Sequence, residues 1–173
     1  VVTAQNKQPY IGTVLVASPD GPYVILQSKA VNDQNGTNNG VIDYNENFGF
    51  NVTLKNVGNS DANNVTSTIS TSCEYVSIKS NTEEWGTIAS GETANKELAF
   101  EIETNEFVPD QFVAVFDVEI TDGNETWASS FNMKLNAPVL SISNLSIDDS
   151  GSATPNNRID PGETVIVTFP VEN

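Results

Sequence analysis

Two stretches of this chain repeat one another, and that fact limits its architecture more than any other. Pro22-Tyr23-Val24 returns as Pro138-Val139-Leu140, and Val31-Asn32-Asp33 as Ile147-Asp148-Asp149. A polar loop follows in both copies. Asn39, Ile42, Asp43 and Glu46 then return as Asn156, Ile159, Asp160 and Glu163 with unchanged spacing. The apolar stripe Phe48, Phe50, Val52, Leu54 reappears as Val165, Val167, Phe169, Val171, and Asn56 as Asn173. The copies differ by one residue inserted in the loop, where added length costs little closure entropy. Sharing a core stripe and loop acids in one register marks tandem units built on one plan. The period places a complete unit at 20–137, the terminal strand and linker of a preceding unit at 1–19, and the truncated start of a second homologous unit at 138–173. An isolated strand pair cannot bury its apolar face. The last stretch is therefore expected to pack on the first unit, pair with another molecule or stay poorly ordered.

The apolar residues recur with period two, the spacing of half-buried strands, and no stretch has the period of a long helix. Leu98, Phe100 and Ile102 alternate with Glu97, Glu101 and Glu103. Phe112, Ala114, Phe116, Val118 and Ile120 form the longest stripe, and Trp127, Ser129, Phe131, Met133 and Leu135 the last. Asp122-Gly123-Asn124 between those two is a hairpin signal, because Gly and Asn tolerate the positive φ of tight turns. Further strands are expected at 22–31, 63–71, 75–79 and 85–88. About seven or eight short strands separated by polar turns predict an all-β fold, an antiparallel sandwich of immunoglobulin type.

Lys and Arg number 7 against 23 Asp and Glu, a net charge of −16. Nucleic acid and anionic membrane surfaces attract clustered cations, so this balance argues against both as partners. It suits a solvated acidic surface or divalent-cation binding. No apolar run reaches the length of a membrane span, and no insertion into a membrane is expected. Residues 1–20 lack the charged start and apolar core of a signal peptide. Val1-Val2-Thr3-Ala4 reads as mid-strand, so the chain is expected to be an excised fragment. Cys73 is the sole cysteine, which excludes an intrachain disulfide and a thiolate metal centre.

With no histidine, the chain has no Ser-His-Asp or Cys-His nucleophilic pair. Cys73 has Glu74 beside it and no Lys or Arg within reach in sequence, which favours the thiol over the thiolate. Asp149-Ser150-Gly151 matches the aspartic-protease tripeptide, but the equivalent Asp33-Gln34-Asn35 does not, and that chemistry needs two carboxylates sharing a proton. No catalytic residue and no enzyme activity is expected of this chain. The loop 32–46 is different. Asp33, Asn35, Asp43 and Glu46 offer hard oxygen ligands suited to Ca²⁺, with Asp149, Asp160 and Glu163 as their counterparts in the second copy. An EF-hand is excluded, since counting from Asn32 or Asp33 puts Asp43 or Tyr44 at the twelfth position in place of the bidentate Glu. The competing reading is a long turn in which Asn and Asp bond their own backbone. Among aromatics that could seat a sugar, Tyr44 lies in this loop, Trp127 falls on a core stripe and Trp85 reads as a lid on the sandwich.

Asn39-Gly40-Val41-Ile42-Asp43-x-x-Glu46, then Phe50-x-Val52-x-Leu54-x-Asn56-x-Gly58, then Ala62-x-Asn64-Val65, resembles the immunoglobulin-like, CARDB-like repeats of large secreted bacterial peptidases. Tyr75-Val76-x-Ile78, Gly86-x-Ile88-Ala89-x-Gly91 and Ile120-Thr121-Asp122-Gly123 continue the likeness. The second copy has Ile159-Asp160-Pro161-Gly162-Glu163, the usual form, from which Tyr44-Asn45 departs in the first. Thr3-Ala4-Gln5-Asn6, Pro9-Tyr10-Ile11 and Gly21-Pro22-Tyr23 look like the junction after the catalytic region of gingipain-type cysteine peptidases. The resemblance implies secretion or cell-surface attachment and a role as accessory module, a spacer or an adhesion element. The partners it implies are other domains of the same polypeptide and, for adhesion, a host protein or glycan. None of the family's catalytic residues falls within this chain.

Overall fold

Each apolar stripe becomes a strand, and the strands stack because every one has a single greasy face to hide. The computed structural model describes residues 19–173 together with Gln5, so the preceding-unit strand expected within 1–19 lies outside the described residues. The first unit contains β1 (Val24–Asn32), β2 (Ile42–Asp43), β3 (Asn47–Asn56), β4 (Ala62–Ser70), β5 (Val76–Ser80), β6 (Thr82–Ile88), β7 (Thr93–Thr104), β8 (Phe112–Thr121) and β9 (Thr126–Asn136). One sheet runs β1-β3-β7-β5 and the other β2-β9-β8-β4-β6. The first sheet against β9-β8-β4 is the strand order of an immunoglobulin-type sandwich, with β6 added beyond β4 and β2 beyond β9. Neighbours are antiparallel except β2 and β9, which run parallel with Ile42 opposite Leu135. This short pairing moves the chain from the first sheet to the second, and the sequence stripes gave no sign of it.

Phe50 lies at the centre of the core, fully buried, with its ring edge-on to Phe48, Phe116 and Phe131 at 5.6, 5.6 and 5.2 Å. Such pairs add about 0.5–1.5 kcal/mol each beyond the area they bury. Phe116 and Phe131 stack on β8 and β9, where the register puts them directly opposite one another. The Asp122-Gly123-Asn124 hairpin forms where expected, with Gly123 at φ 88° and Asp122 Oδ1 accepting the N–H groups of Asn124 and Glu125.

The alternation along β7 departs from the simple stripe. Phe48 pairs with Ile102, Phe50 with Ala99 and Val52 with Lys96, so β7 spends three residues twice where β3 spends two. These two bulges bury Ala99 as well as Phe100 and Ile102, and they put Leu98 and Phe100 at φ 51° and 63°. Positive φ is costly for bulky residues, about 1–3 kcal/mol each. Gly49 on β3 answers the bulge, since a Cβ there would strike the Phe100 carbonyl oxygen. A bulge also falls in β1 between Leu26 and Ser28. Beyond it Lys29 projects over the Phe131 ring, 4.7 Å from its centroid. A cation aimed inward from an edge strand discourages pairing with another chain.

The second copy contains β10 (Ser141–Ile142), β11 (Ser146–Asp148), β12 (Ile166–Thr168) and β13 (Val171–Glu172). Ile147 pairs with Val167 as Val31 pairs with Phe50, and Ile142 with Val171 as Leu26 with Leu54. Four residues separate those pairs on one strand and three on the other in both copies, so even the β1 bulge is reproduced. The strands pair with each other, and Ile142, Ile166, Val167, Phe169 and Val171 remain exposed.

Candidate functional site

The polar loop between the first two repeated strands is where the copies concentrate their shared acids, and it is held together by carboxylates gripping backbone. Asp33, at the end of β1, is buried, and its Oδ2 accepts the N–H groups of Asn39 at 2.7 Å and Gly40 at 2.8 Å. Asp149 does the same for Asn156 at 2.5 Å and Asn157 at 2.7 Å. The N–H of Asn156, foremost, with that of Asn157 holds the Asp149 carboxyl below the usual carboxylate range, against burial that pushes it up. Asn39 Nδ2 donates to Asp43 Oδ2 at 2.7 Å, and Asn156 Nδ2 to Asp160 Oδ2 at 2.7 Å. Asn39 Oδ1 accepts from Val41 N at 2.9 Å, and Asn156 Oδ1 from Arg158 N at 2.9 Å. Asp43 N donates to Glu46 Oε2 at 2.7 Å, and Asp160 N to Glu163 Oε2 at 3.1 Å. Five hydrogen bonds recur one for one.

Glu46 ties this loop to the sandwich. Its Oε1 accepts from Thr37 N at 2.6 Å and Thr37 Oγ1 at 2.8 Å, while its N–H donates to Thr104 Oγ1 at 2.9 Å. Thr104 Oγ1 donates onward to the Asp43 carbonyl at 2.5 Å. Thr104, on β7, was not among the residues that sequence reasoning selected, and its only signal was a hydroxyl on an inward-facing position. Asn56 was matched to Asn173 without a role. Fully buried, its Oδ1 accepts from Tyr23 N and Gly58 N and its Nδ2 donates to the Ser60 and Ile88 carbonyls. Asn173 Oδ1 accepts from Val139 N at 3.1 Å, the counterpart of the Tyr23 bond.

The residues selected as calcium ligands are thus brought together in part. Asp33, Asp43 and Glu46 share one loop, with carboxylate oxygens turned onto N–H, amide and hydroxyl donors; Asp149, Asp160 and Glu163 keep the N–H and amide donors and lack the hydroxyl. Asn35 faces elsewhere, into a cleft of about 530 Å³ that Asn47, Glu83, Glu101, Phe48 and Phe100 also line. Among the described residues no three His, Cys, Asp or Glu side chains are grouped to hold a metal ion. The Asp149-Ser150-Gly151 tripeptide has its carboxylate occupied by the loop.

The aromatics divide as their positions suggested. Trp127 is 8% exposed, and Trp85 is half-buried with its indole N–H donating to Ser67 Oγ at 2.8 Å. Tyr44 is 44% exposed at the loop tip. Cys73 is free, half-buried and packed against the core. No helix among the described residues is long and apolar enough to cross a membrane.

No family model matches the chain. No curated protein matches it either. Among solved structures, the chain is similar to the CsuC-CsuE chaperone-tip adhesion subunit pre-assembly complex from archaic chaperone-usher Csu pili of Acinetobacter baumannii, at 14% identity and a TM-score of 0.27. The likeness covers 56% of this chain and 51% of that one, so the chain spans about half that chain's length.

Proposed function

We propose that this chain is a non-catalytic structural module, a bead in a string of immunoglobulin-like repeats that spaces or presents other domains of the same polypeptide. One observation carries the reading: the second copy rebuilds the first copy's strand register, its bulge and five of its loop hydrogen bonds. What is duplicated is scaffold. The recurring acids accept from donors of their own loop, Asp33, Asp149, Glu46 and Glu163 from backbone N–H groups and Asp43 and Asp160 from Asn side-chain amides, an arrangement that fixes a loop's shape. The resemblance to accessory repeats of gingipain-type secreted peptidases supports a place beside such a catalytic region, outside the cell or on its surface.

The purified chain is expected to turn over neither peptide nor glycan substrates, and to show no saturable capture on immobilised glycans or matrix proteins. Turnover would replace the spacer with an enzyme. Saturable capture lost on Tyr44→Ala would replace it with an adhesion module working from the exposed loop tip.

A further inference from the structure

The stiffness of its joints decides whether a spacer passes on direction as well as distance, and the bonded residues on both sides of the link between the two copies are described. Asn136 ends β9 firmly: its Nδ2 donates to the Ile42 carbonyl at 3.0 Å, its carbonyl accepts from Tyr44 N at 2.8 Å, and its Oδ1 accepts from Gln111 Nε2 at 3.1 Å. The next residue is held as well, because Ala137 N donates to Asp110 Oδ1 at 3.1 Å. Two residues further on, Val139 N donates to Asn173 Oδ1 and already belongs to the second copy. Between the last residue bonded to the first unit and the first residue bonded to the second stands Pro138 alone.

Proline fixes its own φ near −65° and has no N–H to lose. It also bars its predecessor from the helical region, so Ala137 is confined to extended conformations. In this link Pro138 φ is fixed and Ala137 is held to the extended region, so the backbone has far fewer accessible torsions than a glycine-containing linker would. The Ala137 N–H is the chief influence holding the Asp110 carboxyl below the usual carboxylate range, followed by the Gln111 side chain, and Lys134 on β9 acts in the same direction. Entry to the first unit is built differently. There Gly21, at φ 103°, precedes Pro22 and bonds Asn59 Oδ1, so a glycine stands where the later joint has alanine.

Building on the spacer reading, we propose that Ala137-Pro138 is a stiff joint without a free hinge residue, and that Asp110 is the positioning residue that locks it. The module would then transmit direction as well as distance from one repeat to the next.

Spin labels at Asn124→Cys and Thr154→Cys, with Cys73→Ser, report the distance between the two copies in the full chain. The distance distribution is expected to be narrow. Inserting Gly-Ser between Ala137 and Pro138, which removes no bonded residue, should broaden it roughly twofold or more, as a flexible linker does. Asp110→Ala should broaden it partway, and Asp110→Asn, which keeps the acceptor oxygen, should stay narrow. A parent distribution as broad as that of the insertion variant would overturn the stiff joint. An unchanged width in Asp110→Ala would overturn the role of Asp110. Neither result touches the spacer reading, whose own test is turnover or capture.

Discussion

The loop from Asp33 to Glu46 and the loop from Asp149 to Glu163 are the same device in two settings. In the first, a complete sandwich surrounds it; in the second, the only paired strands are the counterparts of β1 and β3. Yet the aspartate grips, the Asn-to-Asp bridges and the N–H bonds to the glutamates recur. The loop's inner wiring is therefore a local property, set by Asn and Asp at fixed offsets. The glutamate differs. In the first copy a Cβ on Gly36 would collide with the Glu46 side chain, which occupies that space and accepts both Thr37 donors. The second copy has Ser152 at the matching turn, its N–H donating to the Asp149 carbonyl as Gly36 N donates to that of Asp33. There Glu163 Oε1 and Ser152 Oγ are buried without a partner. The glutamate's full seat needs a glycine across from it and Thr104 of β7 beneath it.

The largest expected effect separates the two settings. Phe50→Ala should destabilise the first unit by about 3–5 kcal/mol in urea unfolding. Val167→Ala, at the equivalent position, should change the same midpoint by less than about 0.5 kcal/mol because its side chain is already partly in water. Comparable losses would mean that the second copy is covered as the first is, and the comparison would collapse.

Gly36→Ser gives the first loop the residue of the second. It should displace Glu46 from Thr37 and cost about 1–3 kcal/mol, the range for stranding buried polar groups. Amide exchange at Thr37 should quicken in the same variant. Unchanged stability and unchanged exchange would show that Glu46 holds nothing that serine disturbs.

Acid probes the second loop more gently. A carboxyl whose folded pKa is depressed contributes stability above its unfolded value, near ~4, and loses that contribution as pH falls through the folded value. Asp149 is such a group. The amide resonances of Asn156 and Asn157 should hold steady down to about pH 4 and move together below it. Titration at or above the usual aspartate value would show that the grip on Asp149 Oδ2 is absent in solution.

The smallest effect is at the turn before the glutamate, where Asn45 has φ 52° and its counterpart Gly162 φ 82°. Asn45→Gly should leave stability within about 0.5 kcal/mol of the parent, since relieved strain offsets the looser unfolded chain. A loss well above this would mean that the Asn45 side chain holds the turn through contacts of its own.

These contrasts also mark what the sequence made legible. The repeat, the stripes and the hairpin at Gly123 were readable because period-two burial and turn chemistry are local. Trp127 and Trp85 could be placed from their positions on or beside a stripe. Neither β2 nor the double bulge of β7 could be found this way. A two-residue parallel pairing leaves no periodic trace, and the bulges exist only because β3 and β7 must stay in register across Gly49. The loop acids were readable as a group and as two alternatives, ion shell or backbone turn. Which donors each oxygen faces depends on Thr37, Thr104 and Gly36, residues that local pattern alone does not single out.

The parallel pairing of β2 with β9 has a mechanical side. Once β1 has come away from β3, tension leaving beyond β9 pulls β2 and β9 past one another along their length. The bonds joining Ile42 and Tyr44 to Asn136, and the ladder beside Leu135, then bear load together in shear. A zipper opens one tooth at a time, but a lap joint fails only when the whole seam slips. The β2–β9 pairing gives the first unit a short lap joint of this kind.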